Sequence, residues 1–240
     1  MKRFRALALD VDGTLTINRE EYTIHLGAIY ALRKLVEKNY TIVLISSSAL
    51  PIVAGLQRYL GLKGPTIGES GALILTEEGE IIRLARNSAR EAYTSVLNKY
   101  NEYVMDSWQN LFRLYDYALK VKPEYRSRDR EIVSMITEYV EREYPNIRVG
   151  YSGYAIHLTP SEVSKGKALE YIAEYLGIDL EEFIGVGDSV MDLEFLEKVG
   201  LSVTFQNADP ELIAKADLVL SKPSGYGVEE LAKKLLSGTI

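Results

Sequence analysis

The sequence predicts an α/β protein: a doubly wound parallel sheet with a smaller α+β unit inserted into it. Two observations carry this. Short apolar runs alternate with helical patterns at both ends of the chain, and such alternation means parallel strands joined by helical crossovers. Between them the composition changes. Residues 83–150 carry a net charge of +2 against −8 for the rest, and hold eight of the seventeen tyrosines.

The elements follow in order. Phe4-Arg5-Ala6-Leu7-Ala8-Leu9 reads as a buried strand that stops at Asp10. Leu26, Ile29, Tyr30, Leu32 and Leu35 mark one face of a helix at 25–38. Thr41-Ile42-Val43-Leu44-Ile45 is a second strand, ending at Ser46-Ser47-Ser48, and Pro51 opens a helix that closes before Gly61. A hairpin is expected over 72–84, turning at Glu77-Glu78-Gly79. Within the insert we expect a helix at 88–100, a strand at 113–121, a helix at 129–143 and a hairpin over 147–158 that turns at Ser152-Gly153. Beyond Pro160 come helices at 165–176, 189–198, 210–215 and 227–236, with strands at 183–186, 201–204 and 218–220. The expected organisation is a Rossmann-like core of residues 1–82 and 158–240, with an inserted α+β cap at 83–157.

Composition narrows the function. A net charge of −6 and a pI near 5.2 argue against a nucleic-acid partner. No apolar run reaches the length of a membrane span, and the basic start is too short for a signal-peptide core, so a cytoplasmic location is expected. The absence of cysteine excludes disulfides, thiolate metal sites and cysteine nucleophiles. Whether copies of the chain associate as a homo-oligomer is not derivable from one sequence.

Three strands end in polar residues: Leu9 into Asp10, Ile45 into Ser46, and Val186-Gly187 into Asp188. Ligands of open parallel sheets bind beyond the carboxyl ends of the strands. Asp10, Asp12, Ser46, Asp188 and Asp192 should therefore share one pocket. Their carboxylates would repel one another there without a cation, and an all-oxygen donor set suits Mg²⁺. Asp10 can act as a nucleophile and Asp12 as general acid and base. Gly13 lets the chain turn away, freeing backbone N–H groups for a phosphate. Lys165, at a helix start beside Gly166, offers a positive charge to a phosphoryl group, in competition with Lys167. His25 and His157 are expected at a helix surface and a strand end, without a metal role. The insert's tyrosines are expected to half-fill a small core. Arg126, Arg128 and Arg130 are read as a solvated face.

Asp10-Val11-Asp12-Gly13-Thr14-Leu15-Thr16 resembles the first motif of the haloacid dehalogenase superfamily of phosphatases. Ser46, Lys165-Gly166 and Gly187-Asp188-Ser189-Val190-Met191-Asp192 follow in the family's order, and Asn207-Ala208 with Ala216-Asp217 resembles its closing segment. The resemblance implies Asp10 as nucleophile, Asp12 as acid/base, and Ser46 and Lys165 as phosphate holders. It also implies Mg²⁺ on the Asp10 carboxylate, the Asp12 carbonyl and Asp188, with Asp192 supporting the site. Two places depart from the pattern: Ser47-Ser48 stand where glycine and Asn or Arg are common, and Ser70 stands where asparagine is frequent. The short chain and α+β cap most resemble archaeal-type phosphoglycolate phosphatases. The implied activity is hydrolysis of a small phosphorylated metabolite, 2-phosphoglycolate first. A sugar-phosphate phosphatase or phosphomannomutase-like enzyme is the nearer alternative. A phospho-acceptor switch is the more distant one, and Asp12 speaks against it, because a switch gains little from a group placed to discharge it.

Overall fold

The computed structural model describes residues 4–240. Two sheets organise it. The larger takes β1 (Ala6–Leu9), β2 (Thr41–Ile45), β3 (Thr66–Gly68), β4 (Leu73–Leu75) and β5 (Ile81–Arg83) from the first part of the chain. The smaller is built from β6 (Val104–Asp106), β7 (Tyr117–Val121), β8 (Ile147–Tyr151) and β9 (Ile156–Pro160). The chain then returns to the first sheet with β10 (Phe183–Val186), β11 (Leu201–Phe205) and β12 (Leu218–Leu220). The helices are α1 (Leu26–Glu37), α2 (Leu50–Tyr59), α3 (Arg90–Lys99), α4 (Asp129–Glu143), α5 (Lys165–Leu176), α6 (Leu193–Leu196), α7 (Pro210–Lys215) and α8 (Ser224–Ser237).

The larger sheet has the order β12-β11-β10-β1-β2-β3-β4-β5. Its strands from β12 to β3 run parallel, and β4 and β5 fold back as antiparallel strands at one edge. From β1 the chain builds outward one way through β2 and β3, and later the other way through β10, β11 and β12. The reversal lies between β1 and β10, where a doubly wound sheet leaves its ligand crevice. Strand alternation sorts the core into two layers. Leu7 and Leu9 pack with Leu32, Leu35, Leu231 and Leu235 of α1 and α8 on one face. Ala6 and Ala8 face Leu169 and Ile172 of α5 and Phe195 of α6 on the other.

The second sheet is antiparallel in the order β6-β7-β9-β8. Tyr117, Leu119, Ile156 and Leu158 lie on its apolar face, against Val96 of α3 and Ile132, Ile136 and Val140 of α4. Several tyrosines complete this core as the composition suggests, but their hydroxyls find protein partners. Tyr93 donates to Asp106 Oδ1 at 2.8 Å and Tyr117 to the Arg113 carbonyl at 3.2 Å.

Four expectations need correction. Strands β3 and β6 have no counterpart in the sequence reading, because three residues beside a glycine or a tight turn are too few to show a period. Residues 113–116 are not strand, since the backbone N–H groups of Leu114, Tyr115 and Asp116 bind the Glu69 side chain instead of a neighbouring strand. The helix expected at 189–198 is a 3₁₀ turn at Val190–Asp192 followed by the four residues of α6. The last strand of the smaller sheet runs to Pro160, three residues past the expected limit of the insert. Among the described residues no helix is long and apolar enough to cross a membrane.

Phe205 is fully buried between the sheet and α8, with its ring against Gly227. Phe205→Ala should lower stability by about 3–5 kcal/mol, read from the urea midpoint. A loss under about 1 kcal/mol would contradict this packing.

Candidate active site

The six residues singled out from the sequence, Asp10, Asp12, Ser46, Lys165, Asp188 and Asp192, all line one cavity of about 470 Å³. It lies at the carboxyl ends of β1, β2 and β10, with the smaller sheet on its far side. Oxygens of Asp10, Asp188 and Asp192 come within 4.8 Å of one another, and all three residues are buried.

Lys165 holds this cluster together. Its Nζ donates to Asp10 Oδ1 and to Asp192 Oδ1, both at 2.7 Å. The other oxygen of Asp192 accepts from the backbone N–H groups of Asp188 and Ser189, each at 3.0 Å. Asp192 thus shapes the loop after β10 and also positions the ammonium. Ser189 caps the following turn, its Oγ accepting from Met191 N–H at 3.3 Å. Ser164 caps α5 by accepting from Lys167 N–H, and the Lys165 N–H donates to Glu194 Oε2 at 3.0 Å. A side chain at Gly166 would collide with the Glu194 carbonyl, so only glycine lets α5 begin this close to α6. Lys167 points away, with its ammonium on the Glu162 carbonyl at 2.6 Å. Lys165 is thus buried and ion-paired inside the cavity, and Lys167 is exposed outside it.

The electrostatics follow from crowding. Burial, then the charges of Asp192 and Asp188, push the Asp10 carboxyl well above its usual range against the pull of Lys165. Burial and Asp192 push Asp188 up to about 7, although Arg19 and Lys165 oppose them. Lys165 itself is pushed up, because the pull of Asp10 and Asp192 outweighs burial. Burial also raises Asp12, opposed by Lys165, His157, a hydrogen bond from Ser48, and Lys120.

Gly13 has φ +86°, and a Cβ there would run into the Asp188 carboxylate. Thr14 Oγ1 donates to Asp188 Oδ1 at 3.3 Å, and Gly13 N–H donates to Thr16 Oγ1 at 2.8 Å. Ser46 is buried at the end of β2, where its Oγ accepts from Ser48 N–H at 3.0 Å.

Several site residues escaped the sequence reading. Arg19 meets Asp188 Oδ2 at 2.6 Å and Asp209 Oδ1 at 2.9 Å, and nothing in its surroundings in the sequence signals it. Gln109 of the insert accepts from Ala49 N–H at 3.0 Å, beside Ser46–Ser48. Asp116 is fully buried and receives Arg113, His157 Nδ1 at 3.0 Å, Ser70 Oγ at 2.9 Å and Thr159 Oγ1 at 2.5 Å. His157 is therefore a buried hydrogen-bond partner of Asp116 and not a plain strand-end residue. Glu69 accepts from the N–H groups of Leu114 at 3.1 Å, Tyr115 at 2.7 Å and Asp116 at 3.2 Å. Glu69 and Ser70 sit in left-handed backbone, φ +51° and +55°, a strain of roughly 1–3 kcal/mol each that these bonds offset.

The model of the haloacid dehalogenase-like hydrolase family matches this chain over residues 7–116 and 110–231. The chain belongs to that family. A relative from Staphylothermus marinus, named phosphoglycolate phosphatase, is 58% identical over 232 residues, covering 97% of this chain and 98% of its own. One of the same name from Sulfolobus acidocaldarius is 31% identical, covering 98% of both chains. A crystal structure of a Thermoplasma acidophilum protein shares the fold, with a TM-score of 0.83, 24% identity and coverage of 98% of this chain and 99% of that one.

Burial alone would raise Asp116, yet His157, Arg113 and its hydrogen bonds hold its carboxyl below the usual range. A depressed folded-state value means the stabilisation is complete above about pH 4 and is lost as pH falls through that value. Asp116→Asn should therefore cost about 3–5 kcal/mol at pH 7, and the gap to wild type should narrow on acidification to about pH 3. Urea midpoints at the two pH values check this, and a gap that widens would contradict it.

Proposed function

We propose that this haloacid dehalogenase-like hydrolase is a Mg²⁺-dependent phosphomonoesterase that works through a phospho-Asp10 intermediate, with 2-phosphoglycolate as substrate. The convergence of Asp10, Asp12, Ser46 and Lys165 on one cavity at the sheet's switch point carries the reading. The name of the relative at 58% identity supports the substrate.

The donor set fits a hard divalent cation. It consists of buried carboxylate oxygens, and burial with mutual repulsion raises Asp10 and Asp188, a shift that a bound cation would oppose. The carboxylates of Asp10, Asp188 and Asp192 and the carbonyl of Asp12 would hold Mg²⁺, which when bound offsets negative charge on the phosphoryl oxygens.

The chain's own groups supply the rest. The Asp10 carboxylate attacks phosphorus, forming a new O–P bond. The ester P–O bond breaks, and its electron pair goes to the leaving oxygen. Asp12 gives that oxygen a proton. Water then attacks phosphorus of phospho-Asp10 while Asp12 takes its proton, so inorganic phosphate leaves and free Asp10 returns. Lys165 and Ser46 hold the phosphoryl oxygens throughout. The cap shuts the cavity against bulk water and reopens for release.

Phosphate release from small phosphomonoesters tests this. Asp10→Asn should lower kcat by about 10⁴-fold or more, and Lys165→Ala by roughly 10²–10³-fold. Chelation should abolish turnover, and added Mg²⁺ should restore it. Turnover that persists in purified Asp10→Asn would sink the reading.

A further inference from the structure

Strand alternation in the smaller sheet gives it two unlike faces. Tyr117, Leu119, Ile156 and Leu158 point into the core of the cap. Ala118 pairs with His157 across β7 and β9, and Lys120 lies two residues along, so all three share the opposite face. That face lines the cavity, across from Asp10 and Asp12.

Four side-chain cations line the cavity: Arg19, Arg113, Lys120 and Lys165. Three are engaged. Arg19 lies on Asp188 and Asp209, Lys165 on Asp10 and Asp192, and Arg113 on Asp116 and Gln109. Lys120 is different. Its ammonium sits 5.9 Å from the centroid of the Tyr22 ring; no carboxylate lies within ion-pair distance of it among the described residues, although its charge reaches the Asp12 carboxylate. His157 stands beside it with Nδ1 fixed by Asp116 at 3.0 Å, which leaves Nε2 as the ring atom for a ligand. Asp116 shares its carboxylate among His157, Arg113, Ser70 and Thr159, and it makes no ion pair with Lys120 among the described residues. The methyl of Ala118 leaves room between. The acids at the cavity's edge, Glu20 and Glu21, come from the loop after Thr16, and Glu21 is held by Asn18 Nδ2 at 3.2 Å.

We infer that Lys120 and His157 form a seat for a second anionic group, so that the cavity selects small phosphomonoesters carrying a carboxylate. This deepens the phosphatase reading and rests on it. With phosphate at the Asp10 end, a carboxylate at the other end meets an unpaired ammonium and an imidazole N–H, and charge-assisted hydrogen bonds hold it. A neutral tail leaves the ammonium without a partner. Sites built to bind a polar group reject the analogue that lacks it.

The test compares kcat/KM for 2-phosphoglycolate with that for 2-hydroxyethyl phosphate, in which a hydroxymethyl group replaces the carboxylate. Wild type should favour the first by at least about 10²-fold, and Lys120→Met should cut that ratio by roughly 10–100-fold. His157→Gln should cut it by about 10-fold, and Lys120→Glu should move preference toward 2-aminoethyl phosphate. Lys120 supports no other side chain through an ion pair, so Lys120→Met keeps the test open should His157→Gln unfold the cap. A ratio unchanged in Lys120→Met would overturn the seat, as would equal loss on both substrates. A wild type that prefers 2-hydroxyethyl phosphate would also overturn it while leaving the hydrolase reading intact. Failure to cleave p-nitrophenyl phosphate or any other monoester with Mg²⁺ would sink the hydrolase reading, and the seat with it.

Discussion

Three buried carboxylates at the ends of parallel strands repel one another, and the Lys165 ammonium lets them stay close. It bridges Asp10 and Asp192, and Asp192 in turn pins the loop that carries Asp188. The site is assembled from segments more than 150 residues apart, so the long-range pairing of β1 with β10 has to be in place before the charges can meet. Uncompensated, such charges would shift their pKa values and neutralise. The partial compensation seen here leaves Asp10 and Asp188 raised. A divalent cation bound among them would favour their charged forms and relieve that repulsion.

The second constraint is how the cap is held over the cavity. Glu69 and Ser70, strained in left-handed backbone, reach up to the 114–116 segment, and Asp116 gathers partners from both sides. Arg148 on the cap also meets Glu194 on the core at 2.7 Å. These contacts are polar, and Glu69, Ser70 and Asp116 are buried within them. The cap thereby brings an unpaired lysine to the wall opposite the nucleophile.

The parallel core was legible because buried strands run as continuous apolar segments and end abruptly in Asp or Ser. That same signal located Asp10, Ser46 and Asp188, since a sheet with parallel strands gathers all its carboxyl ends at one edge. Strands of three residues such as Thr66–Gly68 and Val104–Asp106 were not legible, because period-two alternation needs more length to show. Residues 113–116 look like strand, but Leu114, Tyr115 and Asp116 serve as N–H donors to Glu69, a tertiary override that no local pattern encodes. Arg19, Gln109 and the Asp116 cluster were missed for a related reason. Their roles depend on which loop faces which, and that is settled by packing and not by spacing. His157 read as bland because its partner, Asp116, lies 41 residues away.

The central claim is that the phosphoryl group passes through the protein on its way to water. The stereochemical course at phosphorus tests this most directly, using a phosphomonoester made chiral with oxygen isotopes and hydrolysed in isotopically labelled water. Two in-line displacements, first by Asp10 and then by water, each invert the centre, so the account predicts net retention. Net inversion would mean that water attacks the substrate directly. Asp10 would then be a metal and phosphate ligand only.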